Sequence, residues 1–308
     1  MLVSFASLEP VQLAPEQAAA YAASAEHEVA LAIGRATIAV RFSRASAAVA
    51  FAERFGDMLG AGTPDMVAYA VDLPGESYFW VAPERARRWP RRIDDVLLVF
   101  FADNVAMYEY FTNSADLGIH AAVLASDSLV AAIVGRSTAG KTTTAIAAAR
   151  GGLTLYSDER CVIQDGLVVP FLRAIGIREG GRMALLADPL PESDVDARLR
   201  ALPAEGDTVM RPRVLFGQRA GGPPRPLGAL FIIEGRDATP SVEPCSLYAV
   251  FAALHESVMV RGTGLARASR VIGELRGVRV YRLRLGSPGA TASLIERTLG
   301  EALPGTKR

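Results

Sequence analysis

Lysine is almost missing from this chain. Of the 33 lysine and arginine residues only Lys141 and Lys307 are lysines. Lys307 is next to the last residue, so Lys141 is the one lysine expected inside a fold. A compact ammonium on a flexible stem serves there in a way a planar guanidinium does not. Cysteine is nearly as scarce. Cys161 and Cys245 are too few and too far apart for a disulfide framework or a metal-ligand cluster, and read as ordinary thiols in a reducing cytoplasm. Net charge is absent too, since 33 acidic residues balance the 33 basic ones, which excludes a global field that recruits nucleic acid or an anionic membrane. No long apolar run occurs. Val96-Leu97-Leu98-Val99-Phe100-Phe101 stops at Ala102-Asp103, far short of a bilayer's width. Residues 1–6 have neither a basic stretch nor an apolar core of the kind a signal peptide needs. The expectation is a soluble cytoplasmic protein with no nucleic-acid or membrane partner.

What is present centres on Gly135-Arg136-Ser137-Thr138-Ala139-Gly140-Lys141-Thr142. This reads G-x-x-x-x-G-K-[ST], a phosphate-binding loop. The glycines let the backbone turn its N–H groups onto phosphate oxygens. Lys141 is expected to reach the β- and γ-phosphates, and the Thr142 hydroxyl to sit on Mg²⁺, with Thr143 completing the binding set. The context fits. Leu129-Val130-Ala131-Ala132-Ile133-Val134 is a compact apolar run suited to a buried strand. The alanine-rich 143–150 suits a helix stopped by Gly151-Gly152, and its start favours anions.

Half the residues are hydrophobic and 21% charged, ample for a core, and 308 residues suit one large or two medium domains. Residues 1–112 read as a separate α/β region: a hairpin over 29–42 with a Gly34-Arg35 turn, a helix over 45–59, strands over 66–73 and 77–81 around Pro74-Gly75, and an apolar helix over 93–111. Arg87, Arg88, Arg91 and Arg92 around Trp89 read as a solvated interdomain segment, because no RNA-binding motif accompanies them. Residues 113–308 read as the catalytic domain. A strand over 120–125 turns at Asp127-Ser128 into the loop strand. Strands follow over 153–156, 161–163, 167–169 with an Asp165-Gly166 turn, and 227–233. A helix is expected over 247–258, an exposed-face strand over 279–285, and a helix over 291–299. Residues 187–226, rich in Pro, Gly and charge, read as a long loop or lid.

A phosphate loop alone does not name a reaction. Transfer also needs a carboxylate for Mg²⁺ and a base for the acceptor's proton. Asp158 and Glu159 end the hydrophobic strand after the loop helix, where a βαβ-like return brings both near the γ-phosphate. Glu234, closing an apolar strand, competes for the metal-side role. If 120–125 and 129–134 form a hairpin, antiparallel register puts His120 level with the loop, where an imidazole can order the acidic pair or assist proton transfer. Arg211 and Arg213, in the expected lid, could reach a phosphate or an acidic substrate. A guanine-reading N/T-K-x-D and a transporter-type L-S-G-G-Q are both absent.

With these residues in hand, the chain resembles the C-terminal domain of HPr kinase/phosphorylase and its HPr-kinase-like relatives. The shared pattern is a His-led strand, a hairpin into G-x-S-x-x-G-K-[ST], an alanine-rich helix and a strand ending in an acidic pair. It is seen here as His120-Ala121, residues 135–142 and Ser157-Asp158-Glu159, and covers about residues 115–170. The resemblance implies the fold shared with ATP-dependent phosphoenolpyruvate carboxykinases and phosphoryl transfer to a serine hydroxyl, with ATP and Mg²⁺ and with Asp158, Glu159 and His120 in the family's acidic and histidine positions. Thr138 stands where the family usually has glycine, Glu159 where a second aspartate is usual, and Ala121 where a glycine often follows the histidine. The family's arginine- and glycine-rich segment is not recognisable in 171–186.

The expected function is an ATP- and Mg²⁺-dependent kinase acting on a Ser/Thr hydroxyl of a protein or peptide, for instance a biosynthetic precursor peptide. Thr142 and Asp158 hold the metal, and Glu159 or Asp158, helped by His120, takes the proton. A nucleotide-binding regulator with little catalysis, and a small-molecule kinase, are the alternatives. A homo-oligomer is compatible with the sequence.

Overall fold

The computed structural model describes residues 7–188, 194–203 and 205–301. Residues 1–6, Lys307, and 189–193 and 204 of the expected lid lie outside the described residues. The chain is mixed α/β and divides into two compact units, Met1–Ser114 and Ala115–Arg308.

The first unit contains β1 (Glu9–Val11), α1 (Pro15–Ser24), β2 (His27–Ile33), β3 (Ala36–Phe42), α2 (Ala45–Arg54), β4 (Met66–Leu73), β5 (Glu76–Trp80), β6 (Ala86–Trp89) and α3 (Asp95–Asn113). The strands form one sheet in the order β1-β6-β5-β4-β3-β2. β2 and β3 pair antiparallel across Gly34, whose φ of 57° suits glycine. β3 and β4 are parallel, with α2 as the crossover. α3 packs on α2, β4 and β5, and Asp94 caps its start by accepting from the Leu97 N–H at 2.8 Å.

Two expectations are corrected in this unit. The helix expected over 45–59 ends at Arg54, because 58–60 is used to cover the edge of β2. There the Ala32 N–H donates to Met58 O at 2.8 Å and the Gly60 N–H to Ala30 O at 3.0 Å. The arginine segment around Trp89 is no solvated connector. Residues 86–89 form β6 between β1 and β5, Trp89 is buried, Arg88 pairs with Glu9 and Glu76, and Arg87 lies over the Tyr108 ring.

The second unit begins with β7 (Leu117–His120), β8 (Ala122–Ala125), β9 (Val130–Val134), α4 (Lys141–Gly151), β10 (Thr154–Ser157), β11 (Arg160–Gln164), β12 (Leu167–Val169) and β13 (Ile175–Ile177). It continues with α5 (Glu179–Ala187), α6 (Asp194–Arg200), β14 (Thr208–Met210), α7 (Pro212–Phe216), β15 (Arg225–Arg236), β16 (Ser241–Cys245), α8 (Leu247–His255), β17 (Val258–Met259), α9 (Gly264–Glu274), β18 (Arg279–Leu285) and α10 (Pro288–Glu301). Three parallel strands, β9, β15 and β18, lie side by side with β15 in the middle. Antiparallel β8 and then β10 extend the sheet beyond β9, and β16 beyond β18. β7, β11, β12 and β17 make a second group of strands, joined to the first where β12 meets the start of β15. α4 and α10 pack on each other, while α8 and α9 bury Val250, Leu254, Val271 and Leu275 with Val123, Ala132, Val134 and Ile232. Among the described residues no helix is long and apolar enough to cross a membrane.

The strand expected over 120–125 breaks at Ala121. β7 pairs with β11 and β8 with β9, so the chain changes strand group at that residue. The described part of the expected lid is ordered chain. α6, β14 and α7 occupy it, and Arg150 of α4 makes a buried ion pair with Asp196 of α6 at 2.7 Å. Proline at the start of α7, and the acidic first turn and basic last turn of α6, are helix-end features there. Glu234 does not end a strand, since β15 runs on to Arg236, and its carboxylate pairs with Arg282 at 3.4 Å.

Candidate active site

The phosphate-loop sequence sits between β9 and α4, at the carboxyl end of a parallel strand, where open α/β sheets bind ligands. Its conformation explains its residues. Gly140 is the N-cap of α4 with φ 109°, a region that strains an L side chain. Thr138 adopts φ 68°, and it is one of two non-glycine residues with positive φ among the described residues. The resemblance's glycine at this position therefore answers a left-handed backbone, and threonine holds it under strain. Arg136, Ser137 and Thr138 are exposed, and Gly135 and Ala139 half-buried.

Lys141 is buried. Its Nζ donates to the Gly135 carbonyl at 2.7 Å and the Arg136 carbonyl at 3.1 Å, so the ammonium is tied to the loop that it serves. Burial lowers its pKa, while the charges of Glu159 and Asp158 raise it. Thr142 Oγ1 donates to Asp158 Oδ2 at 2.9 Å. The other carboxylate oxygen, Asp158 Oδ1, is buried with no hydrogen-bond partner among the described residues. Burial pushes the Asp158 carboxyl up to about 8. The neighbouring Glu159 adds to this, and the Thr142 hydrogen bond and Lys141 oppose it.

β10 brings the acidic pair here. It runs parallel to β9 with β8 between them, so both strands finish at the same edge of the sheet. A register shift between Leu155 and Ser157 turns the strand end. The buried Ser157 hydroxyl then fixes the turn by accepting from the N–H groups of Glu159 at 3.0 Å and Arg160 at 2.8 Å.

Asp158 and Glu159 face different partners. Asp158 faces Thr142. Glu159 Oε1 lies 3.4 Å from His120 Nδ1 and 3.4 Å from Arg173 Nη1. His120 Nδ1 is also 3.0 Å from the Glu159 carbonyl, and in the tautomer where it donates there Nε2 carries the lone pair. His120 reaches this place by a route different from the expected one. It ends β7, opposite Arg160 of β11, and its own N–H is held by the Ser257 carbonyl at 2.7 Å.

Sequence reasoning missed Arg173. The segment 171–186 has no recognisable family pattern, yet it delivers this buried guanidinium to Glu159. An arginine inside the apolar run Phe171-Leu172-Arg173-Ala174-Ile175 was the available signal. The same segment supplies Gly181, where a Cβ would lie 2.8 Å from Thr143 Oγ1, so α5 closes tightly on the first turn of α4. Arg211 and Arg213 are exposed at the start of α7.

The donor set suits a Mg²⁺–nucleotide. A hydroxyl and a carboxylate already in contact, with one buried carboxylate oxygen left over, match an ion that takes one or two protein oxygens and fills the rest from phosphate and water. Among the described residues no group of three or more His, Cys, Asp or Glu could hold a metal by itself, and this mode of binding requires none.

No protein-family model matches the sequence, and no curated protein matches it. Among solved structures, the Hpr(Ser) kinase/phosphatase from Coxiella burnetii is similar over 60% of this chain and 97% of its own, at 11% identity and a TM-score of 0.30. At that score the likeness carries no weight, and the chemistry rests on the geometry above.

Proposed function

We propose that this protein is an ATP- and Mg²⁺-dependent kinase that transfers the γ-phosphoryl group to a Ser/Thr hydroxyl of a protein or peptide, with its second unit an HPr-kinase-like phosphate-loop domain. The observation that carries the reading is the division of labour in the acidic pair. Asp158 is joined to Thr142 on the metal side, and Glu159 is grouped with His120 and Arg173 on the other.

Thr142 and Asp158 hold Mg²⁺, which neutralises charge on the phosphates when bound. The loop N–H groups and Lys141 orient the triphosphate. Glu159 accepts the acceptor's hydroxyl proton, with His120 and Arg173 fixing its carboxylate. The hydroxyl oxygen bonds to the γ-phosphorus, the bond from that phosphorus to the β–γ bridging oxygen breaks, and ADP leaves with the electron pair. A protein or peptide is favoured as acceptor by the resemblance over residues 115–170.

The test is incubation with γ-labelled ATP and a panel of Ser- and Thr-containing proteins and peptides. Label on a hydroxyl residue, lost with Glu159→Gln although nucleotide binding is kept, is the expected result. ATP bound with no labelled product across the panel favours the regulatory alternative.

A further inference from the structure

β15 carries one residue more than its parallel neighbour β18. Ile233 stands opposite Leu283 and Gly235 opposite Arg284, which leaves Glu234 as the extra residue of a bulge. Such an insertion moves every later side chain to the other face of the strand. Arg236 therefore stands opposite Leu285 and shares the face of Ile233, where simple alternation would have put it with Ile232.

That face is the one against the phosphate loop. A Cβ built on Gly135 would lie 3.1 Å from Ile233 Cβ. One built on Gly140 would lie 2.6 Å from Arg236 Nη2 and 2.9 Å from Leu285 Cδ1. The guanidinium thus rests on the last loop residue before α4.

No ion pair among the described residues explains its presence there. The first turn of α4 has no acidic residue, and Lys141 already stands in it. A second cation at the positive end of a helix is opposed by the macrodipole and by the ammonium. The nearby arginines of β18 are paired, Arg282 with Glu234 at 3.4 Å and Arg284 with Asp237 at 3.0 Å. The Arg236 guanidinium has no hydrogen bond or ion pair among the described residues, and the residue is exposed.

We propose that Arg236 is a phosphate-contacting residue of the nucleotide site, aimed at the loop by the bulge at Glu234. The proposal rests on the nucleotide-binding reading. A bound triphosphate supplies the anion that makes this placement favourable, and a guanidinium fork suits phosphate oxygens.

The experiment compares wild type, Arg236→Gln and Arg284→Gln, measuring Mg·ATP affinity by calorimetry and the melting temperature without nucleotide. Arg284→Gln removes the same charge from a guanidinium that is already paired. The expected result is a loss of about tenfold or more in ATP affinity for Arg236→Gln, a nucleotide-free melting temperature no lower than wild type, and wild-type affinity for Arg284→Gln. Affinity of Arg236→Gln within about threefold of wild type, an equal loss in Arg284→Gln, or a nucleotide-free melting temperature lowered by several degrees would each overturn the proposal and leave the nucleotide reading standing. Wild type that binds no Mg·ATP would overturn that reading, and the proposal with it.

Discussion

Thr138 holds a left-handed backbone, φ 68°, that a β-branched residue adopts at a cost of about 1–2 kcal/mol. Thr138→Gly removes that strain but adds freedom to the unfolded chain, about 0.5–1 kcal/mol. The net expectation is a nucleotide-free protein that melts at the same or a slightly higher temperature, and never a large loss. Differential scanning calorimetry checks this. Asp158 gives a pH-dependent case. Its carboxyl is pushed from 3.8 up to about 8, so the folded state holds a proton that the unfolded state releases. The stability from this proton is fully present below 3.8 and is lost as pH rises through about 8. Asparagine does not titrate and can still accept from Thr142. In chelator, the unfolding free energy of Asp158→Asn relative to wild type should therefore climb between about pH 5 and pH 8, by up to about 1.4 kcal/mol per pH unit, as chemical denaturation at each pH will show. A constant difference across that range would show that Asp158 is ionised in the metal-free fold.

At the level of elements, the site depends on where α4 starts and on what holds its far end. The start is set by Gly140 and by the close approach of Gly181 from α5. The far end is set by Arg150, whose Nη1 donates to Leu185 O at 2.6 Å and whose Nη2 pairs with Asp196 at 2.7 Å, both side chains buried. Asp196→Ala leaves a buried guanidinium without its counter-charge, a loss of about 3–5 kcal/mol. Chemical denaturation should show it as a lower midpoint, and Asp196→Asn should recover part of it. Helices and strands with strong local signals were legible in the sequence. The hairpin of β2 and β3, the Asp165-Gly166 turn and the strand-loop-helix around Lys141 are set by apolar periodicity and by residues with positive φ. α5, α6 and α9 were not legible, since short helices interrupted by glycine or dense in charge look like loop until their tertiary partners are known.

For the whole molecule, the loop, the acidic pair and His120 could be read as chemistry because each is a compact local signal. Their grouping could not. His120, Ser157 and Arg236 reach the site through a sheet change at Ala121, a register shift before Ser157 and a bulge at Glu234, each a tertiary event of one residue. Local patterns carry no trace of such shifts, which reverse the side a residue faces. The central claim is that the Thr142–Asp158 contact serves phosphoryl transfer. It is tested most directly by following label from γ-labelled ATP into a hydroxyl acceptor, with wild type, Lys141→Ala and Asp158→Asn side by side and nucleotide affinity measured on the same samples. The account predicts that Lys141→Ala loses both, whereas Asp158→Asn keeps nucleotide binding and loses transfer by at least about a hundredfold. Transfer by Asp158→Asn at the wild-type rate would contradict it.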